Sequence, residues 1–248
     1  QTVATAMGGL MFARHGGYAQ FITANAANVV AIDADLPFEQ LAALPESYLT
    51  IWGALDKNLN ISQGQRLLVR GATSSVGLSA VAYAKARGLT VIATPRQASS
   101  EAKLKAMGAD HVLIDNGTVN EALRAIYPEG VDNALEVVGA ATVKDTLKTI
   151  RPWGQVAVIG LLGGAPIIDQ FNLMADLPNT VKLSFFSSGL LGSAALPLNQ
   201  SPLNWIAQQV AKGTMPSTVA KVFNVKDIQA AHQLLDSNQA NGKIVVTF

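Results

Sequence analysis

A short turn that is poor in large side chains holds the residues of this sequence best suited to bind a phosphate. It reads Gly71-Ala72-Thr73-Ser74-Ser75-Val76-Gly77, after the apolar run Leu67–Val69 and before an alanine-rich stretch. In a strand–turn–helix unit the first glycine permits a tight bend, and the last lets helix and strand pack closely. The N–H groups at the helix N-terminus carry a partial positive charge that suits a pyrophosphate. The turn therefore predicts a dinucleotide site.

The middle of this turn departs from the usual dinucleotide pattern. Thr73, Ser74 and Ser75 stand where such sites often carry another glycine. Hydroxyl groups cap helices and also bond phosphate oxygens, so binding does not require that glycine. A serine-capped helix after a glycine turn, with no ligand, explains the same residues. A Walker A loop is excluded because no Gly-Lys-Ser/Thr follows.

The segment after the next apolar run predicts which dinucleotide binds. NAD sites usually hold the ribose hydroxyls with an acidic residue about 20 residues beyond the glycines. Here Val91–Ala93 is followed by Thr94, Arg96 and Ser99, and no acid precedes Glu101. Because a guanidinium matches a phosphate in shape and charge, we predict NADP(H) rather than NAD(H). A solvated loop arginine is the alternative.

Apolar runs and helical stretches alternate from residue 62 onward, and these elements must position the turn. The strand-like runs are Arg66–Val69, Thr90–Ala93, His111–Ile114, Asp132–Val138, Gln155–Gly160 and Val181–Ser187. The helical stretches between them are Ser75–Arg87, Ser100–Met107, Val119–Ile126 and Ala141–Ile150. Apolar runs separated by helices indicate a parallel sheet with right-handed crossovers. We expect an α/β fold, a doubly wound sheet in the order 3-2-1-4-5-6.

The first residues carry strand-like runs that do not belong to this alternation. Thr2–Thr5, Tyr18–Thr23 and Val29–Ile32 each fit a short strand, and Tyr18–Thr23 alternates like a half-buried one. So few strands cannot close a core alone. We expect them to pair with late parts of the chain or with a segment upstream of it.

Composition excludes several classes of protein. The 248 residues are 49% hydrophobic and 14% charged with a net charge of +1, which gives no signal for nucleic acid. The sequence has no cysteine, which removes disulfides, thiolate metal sites and thiol nucleophiles and fits a cytoplasmic protein. No apolar run approaches the ~20 residues of a membrane span. We therefore expect no membrane and no nucleic-acid partner.

The stretch from Ser62 to Gly77 resembles the cofactor-binding signature of medium-chain dehydrogenases, in the zinc-independent quinone oxidoreductase branch. Further segments resemble family motifs in the expected order: Leu41–Pro45 with Thr50, Met107–Val112, Gly130–Gly139, Gly154–Gly160 and Gly242–Val246. The resemblance implies a six-stranded Rossmann domain over residues 36–194 and an incomplete GroES-like β-barrel lobe. Residues 1–35 and 195–248 would form that lobe, and the resemblance indicates an N-terminally truncated member.

The resemblance also implies further site residues. It places the backbone of Val138-Gly139 and Gly160-Leu161-Leu162 beside the nicotinamide, Thr50 near its ring, and Phe185-Phe186-Ser187 near the substrate. The full set of expected cofactor-binding residues is Thr50, Gly71, Ala72, Thr73, Ser74, Ser75, Val76, Gly77, Thr94, Arg96, Ser99, Val138, Gly139, Gly160, Leu161, Phe186, Ser187 and Asn241. Tyr48 is a candidate hydrogen-bond donor to a developing oxyanion, and an interface tyrosine packing between lobes is the alternative.

The expected reaction is metal-free transfer of hydride from NADPH to a quinone or an α,β-unsaturated carbonyl. The chain lacks the cysteines of zinc-dependent relatives, Glu46 has no visible partner ligand, and His15, His111 and His232 lack ligand spacing. A non-catalytic NADPH-binding protein, of sensor or crystallin type, is the alternative, and a truncated front lobe favours it. A short-chain dehydrogenase is excluded because no tyrosine has a lysine four positions later.

The last strand-like run, Val181–Ser187, predicts the assembly. As the final strand of the sheet it would leave one side unpaired, and an apolar, aromatic edge invites pairing with a second copy. Members of the resembling family continue one sheet through two subunits in this way. We therefore expect a homodimer through residues 181–187, with an edge protected by the loop Gly189–Gly192 as the alternative.

Overall fold

The computed structural model describes residues 1–161, 163–237 and 239–248. The chain divides into two compact units. Unit 1 comprises Gln1–Gly53 and Ser188–Phe248, and unit 2 comprises Ala54–Ser187. The domain boundaries inferred from the sequence, after residues 35 and 194, stay a prediction.

The strands run in chain order as β1 (Val3–Ala4), β2 (Val30–Ala31), β3 (Arg66–Arg70), β4 (Thr90–Thr94), β5 (His111–Val112), β6 (Val131–Glu136), β7 (Ile150–Val158), β8 (Lys182–Phe185), β9 (Val219–Asn224) and β10 (Lys243–Thr247). The α-helices are α1 (Phe38–Ala42), α2 (Pro45–Trp52), α3 (Ser75–Ala86), α4 (Glu101–Ala106), α5 (Asn120–Ile126), α6 (Ala140–Lys148), α7 (Leu173–Asp176), α8 (Leu203–Ala211) and α9 (Ile228–Asp236). A π-helical segment covers Gly53–Asn58, and 3₁₀ turns cover Ala26–Asn28, Ala98–Ser100, Ser188–Leu190, Leu198–Gln200 and Val225–Asp227.

Unit 2 is built on a six-stranded sheet in the order β5-β4-β3-β6-β7-β8. Every pairing in it is parallel, with Arg66 opposite Thr90 where β3 meets β4. This confirms the predicted α/β fold and the order 3-2-1-4-5-6. The chain leaves β3 in one direction and returns at β6 on its other side. The carboxyl ends of β3 and β6 therefore form the crevice at which open α/β sheets bind ligands.

The sheet forms because its strands are apolar on both faces. Leu67, Leu68 and Val69 of β3 are fully buried, and the alanines of α3 allow that helix to lie close against the sheet. Gly88 and Gly108 follow α3 and α4 with φ of 78° and 109°, the positive φ that glycine commonly adopts just after a helix.

Unit 1 contains two small sheets with helices α1, α2, α8 and α9. β1 pairs antiparallel with β2, and β9 pairs parallel with β10. The strand predicted over Tyr18–Thr23 is wrong: the segment consists of bends and irregular backbone, and its side chains are exposed. Among the described residues no strand pairs with this segment, so its alternation does not correspond to a buried side. The interpretation of unit 1 as part of a β-barrel lobe stays a prediction.

Candidate cofactor-binding site

The turn between β3 and α3 has the tight geometry that its glycines predicted. Gly71 has φ of 82°, and a Cβ there would lie 3.2 Å from Val138 Cγ2. A Cβ on Gly77 would lie 2.5 Å from the Gly71 oxygen and 2.7 Å from Ala72 Cα. The first glycine thus permits the bend, and the second brings the helix against the turn.

Ser74 caps the helix that follows the turn. Its hydroxyl accepts a hydrogen bond from the Gly77 N–H at 3.0 Å and donates to the Gly71 oxygen at 3.0 Å. The N–H groups of Ser75 and Val76 lie in the first turn of α3, where a helix offers no acceptor of its own. These donors, with the partial positive charge of the helix end, can bind an anionic group. Thr73 lies in the same turn, half-buried.

The end of β4 lies directly against this turn. Thr94 Oγ1 accepts a hydrogen bond from the Gly71 N–H at 3.2 Å, and the Thr94 carbonyl accepts one from the Ala72 N–H at 3.1 Å. Arg96 and Ser99 follow in an exposed segment. Because β4 ends beside the turn, these polar side chains are available to a ligand that the turn holds.

The loops after β6 and β7 touch each other at two glycines. Gly139 has φ of 112°, and a Cβ there would lie 2.7 Å from the Gly160 oxygen. A Cβ on Gly160 would overlap the Val137 oxygen. Only glycine fits at either position. Leu161 follows half-exposed, and Leu162 lies outside the described residues.

A cavity of about 410 Å³ opens in unit 2 where these loops continue. Its apolar lining includes Val143, Val158, Leu161, Ile168 and Phe185, and its polar side chain is that of Ser184. The Phe186 side chain is buried and its N–H donates to the Val158 oxygen at 2.9 Å, whereas Ser187 is exposed.

Two charged residues of the strand ends lie completely buried under this site. The Arg70 guanidinium binds both oxygens of Asp115 at 2.8 and 2.9 Å and Asp145 Oδ2 at 2.8 Å. Burial alone lowers the pKa of Arg70, but the hydrogen bond to Asp115 and the charges of Asp115, Glu136 and Asp145 raise it on balance. Arg70 is therefore a permanent cation.

The second buried charge, Glu136, holds the loop after β6. Its Oε1 accepts hydrogen bonds from the N–H groups of Val138 at 2.8 Å and Gly139 at 3.0 Å, and its Oε2 accepts one from Thr146 Oγ1 at 2.5 Å. Burial raises the pKa of Glu136, and the bonds from Thr146 and Gly139 and the charge of Arg70 oppose that rise.

Comparison with known proteins gives a consistent family. The family whose sequence model matches residues 75–196 is described as zinc-binding dehydrogenase. Quinone oxidoreductase of Pongo abelii is 29% identical over 176 residues, which cover 70% of this chain and 53% of that protein. The crystal structure of AibC has a TM-score of 0.83 at 27% identity and covers 94% of this chain and 63% of that one. Quinone oxidoreductase of Pseudomonas syringae pv. Tomato DC3000 has a TM-score of 0.82 at 23% identity, covers 99% of this chain and 74% of that one, and shows the shared fold.

These comparisons support the medium-chain dehydrogenase/reductase superfamily, in its quinone oxidoreductase-like branch, as the group that this chain resembles. This confirms the resemblance on which the sequence analysis relied. The chain spans about half the length of the Pongo abelii relative, 53%, so the activity of the whole protein is treated below as a proposal.

The remaining predicted site residues lie in unit 1. Tyr48 is completely buried in α2, and the Thr50 hydroxyl donates to the backbone carbonyl oxygen of Glu46 at 2.8 Å. Asn241 is exposed with φ of 52°, just before β10. Lys243 of β10 forms an ion pair with Glu46 of α2. The sequence thus assigned the expected site to residues of both units.

The described part of this chain does not have the donor set of a zinc site. It has no group of three or more His, Cys, Asp or Glu residues placed to hold a metal ion. Glu46, the carboxylate nearest the position of a family ligand, is paired with Lys243 and accepts from the Ser47 hydroxyl at 3.2 Å. The zinc of the family's name therefore does not fit these residues, and metal-free chemistry stays a prediction. No described helix has the length and apolar character of a membrane span.

Sequence reasoning missed Arg70, Glu136 and their partners. A signal was present, because each charge ends a strand directly after buried apolar residues, Leu67–Val69 before Arg70 and Ala134–Leu135 before Glu136. A charge at such a position is costly unless it is paired, so it predicts a buried network.

Proposed function

We propose that this protein is an NADPH-dependent oxidoreductase that reduces a quinone or an α,β-unsaturated carbonyl without a metal. The observation that carries the proposal is the Gly71–Gly77 turn at the crevice between β3 and β6, with the N-terminal N–H groups of α3 free of intrahelical acceptors. This geometry supports a pyrophosphate on the turn.

The choice of NADPH over NADH rests on the segment after β4. Arg96 and Ser99 are exposed there, where an NAD site would carry an acid on the ribose hydroxyls. Arg96 would bind the 2′-phosphate as a charge-assisted pair.

The loops of Val138-Gly139 and Gly160 support a flat ring at the other end of the cofactor. Because both glycines lack a side chain, the two loops pack against each other through their backbones, and the ring would lie against the surface that they form. When bound, the nicotinamide would supply the hydride, and the protein would hold the ring and exclude water. Phe186 and Ser187 follow β8 and would stand toward the substrate.

The lining of the cavity in unit 2 supports the proposed substrate class. Its side chains are apolar apart from Ser184, which favours an uncharged, apolar acceptor such as a quinone. Tyr48 is completely buried, which favours its packing alternative over a donor role. Thr50 and Asn241 stay expected cofactor contacts.

The test is cofactor consumption with a panel of electron acceptors. We expect oxidation of NADPH, followed at its absorbance band, with quinones or enones and not with saturated alcohols, and we expect it to survive a strong chelator. Stoichiometric zinc that is required for turnover would contradict the metal-free reaction. Tight NADPH binding without turnover on any acceptor would instead identify the non-catalytic alternative.

A further inference from the structure

A hydrogen-bond chain joins the two buried charges of the strand ends. Arg70 Nη1 donates to Thr146 Oγ1 at 3.0 Å, Thr146 Oγ1 donates to Glu136 Oε2 at 2.5 Å, and Glu136 Oε1 accepts from the N–H groups of Val138 and Gly139. Arginine can only donate, so the single Thr146 hydrogen must point at Glu136. The direction of the chain is therefore fixed.

Within this hydrogen-bond chain, every group that contacts the Glu136 carboxylate is a donor. The two backbone N–H groups occupy Oε1 and the Thr146 hydroxyl occupies Oε2, so the ionised carboxylate fits without a proton of its own. Arg70 supplies the nearby positive charge. Such charge-assisted bonds are stronger than neutral ones.

The loop that the chain reaches has a conformation that needs support. Gly139 has φ of 112° and ψ of −150°, a region open to glycine alone, and it lies against the Gly160 backbone. Backbone in such regions persists when the surrounding structure over-determines it. The carboxylate of Glu136 meets that need because it binds two successive N–H groups of the loop.

We propose that Thr146 is a positioning residue that transmits the charge of Arg70 to Glu136 and so fixes the Val138-Gly139 loop. Thr146 is fully buried in α6 and donates to Glu136, whose carboxylate binds the loop. Because β3 ends at Arg70, directly before Gly71, the same chain connects the phosphate-binding turn to the loop expected beside the nicotinamide. The consequence for the nicotinamide rests on the proposed function, whereas the order of the loop does not.

The first experiment measures the loop in the protein without cofactor. Thr146→Val keeps the shape and removes the hydroxyl, and Thr146→Ser restores it. Thr149→Val is the matched control. Thr149 is equally buried at the end of α6, but its hydroxyl donates to the backbone carbonyl oxygen of Thr146 and not to Glu136. We expect amide hydrogen exchange at Val138 and Gly139 to become about tenfold faster in Thr146→Val, and to match wild type in the other two.

The second experiment uses the cofactor. In Thr146→Val we expect kcat with a quinone to fall about tenfold, while the affinity for adenosine 2′,5′-bisphosphate, which lacks the nicotinamide, stays unchanged. A loss of folding would instead lower both kcat and the affinity for adenosine 2′,5′-bisphosphate. If Thr146→Val does not fold, Thr146→Ala carries the same test, because it removes the same hydroxyl, and Thr146→Ser, which keeps it, is the matched control.

The outcomes separate this inference from the proposed function. Unchanged exchange in Thr146→Val, or an equal rise in Thr149→Val, overturns the positioning role. If wild type neither binds NADPH nor reduces any acceptor, the proposed function fails, and the exchange experiment still decides whether Thr146 fixes the loop.

Discussion

A single methyl group at Gly77 would collide with the turn that precedes its own helix. The atoms it would meet are backbone, the Gly71 oxygen and Ala72 Cα, which cannot move aside as a flexible side chain does. Gly17 offers a contrast, because a Cβ there meets no atom within 4 Å and the residue has no positive φ. The two glycines therefore differ in the space available for a side chain, although both lie in turn-rich sequence.

Gly77→Ala is expected to destabilise the protein by about 1–3 kcal/mol, the usual cost of forced overpacking. It should also abolish NADPH binding, because the shifted turn no longer presents its N–H groups. Denaturant unfolding and calorimetry measure the two effects. Gly17→Ala is the control and should change neither, and a Gly77→Ala protein with wild-type affinity would show that the turn does not bind the cofactor.

Arg96→Ala is expected to weaken NADPH binding by roughly 1.5–3 kcal/mol, the value of a charge-assisted hydrogen bond. Binding of NADH, which lacks the 2′-phosphate, should not change. Calorimetry with both cofactors measures this difference, and Arg14→Ala, which removes another exposed arginine, is the control. Equal NADPH affinity in wild type and Arg96→Ala would make Arg96 an ordinary surface residue.

At the scale of elements, charged side chains fix the carboxyl ends of the parallel strands. Arg70 ends β3 and binds Asp115 beyond β5 and Asp145 of α6. Glu136 ends β6 and binds the loop before α6. The site therefore depends on buried ion pairs as well as on the apolar sheet beneath it, and this makes its stability sensitive to pH.

Asp115→Asn tests that sensitivity. Burial alone raises the pKa of Asp115, but the bonds from Arg70 and the Gly117 N–H and the charge of Arg70 lower it on balance. The ionised form thus stabilises the fold above the unfolded pKa of about 4, and the contribution is lost as the pH falls through the lower folded pKa.

We expect Asp115→Asn to lower the free energy of unfolding by about 3 kcal/mol at pH 7, since one partner of a buried pair is gone. The difference in unfolding free energy from wild type should shrink below about pH 4. Denaturant unfolding across pH measures it. Asp169→Asn, at an exposed position, is the control and should follow wild type throughout. A pH-independent gap would mean that the lost charge is not the cause.

At the scale of the whole molecule, β8 leaves one edge of the six-stranded sheet unpaired within unit 2. The Phe186 N–H points at β7, where it donates to the Val158 oxygen, and N–H groups alternate along a parallel strand. The N–H of Leu183 therefore points away from β7. Phe185 is 59% exposed on this strand, which adds an apolar side chain to the open edge. We propose that two copies pair at this edge about a two-fold axis.

Leu183→Pro removes an outward N–H without removing a bond to β7, so it should produce folded monomers. Leu183→Ala keeps that N–H and should stay dimeric. Sedimentation of both variants measures the assembly. A Leu183→Pro protein that remains a dimer would mean that the subunits meet through another surface.

The sequence determined the sheet because its signal is local. Apolar runs such as Leu67–Val69 can be buried on both faces only in a covered parallel sheet, and glycines 71 and 77 mark a turn that no larger residue fits. The sequence predicted the ends of the elements less accurately than their order. For example, β7 begins at Ile150 rather than at Gln155, and it passes through Pro152. Tyr18–Thr23 failed because alternation alone does not supply a pairing partner.

Only the tertiary structure decided what the charged residues do. Arg70 lies 45 residues from Asp115 and 76 residues from Thr146 in the chain, and nothing in their local sequence says that they meet. The crossovers of the sheet bring the carboxyl ends of β3, β5 and β6 to one edge, where burial makes each charge dependent on its partner. Local pattern therefore predicted the Gly71–Gly77 turn, and long-range folding formed the hydrogen-bond chain from Arg70 to the Val138-Gly139 loop.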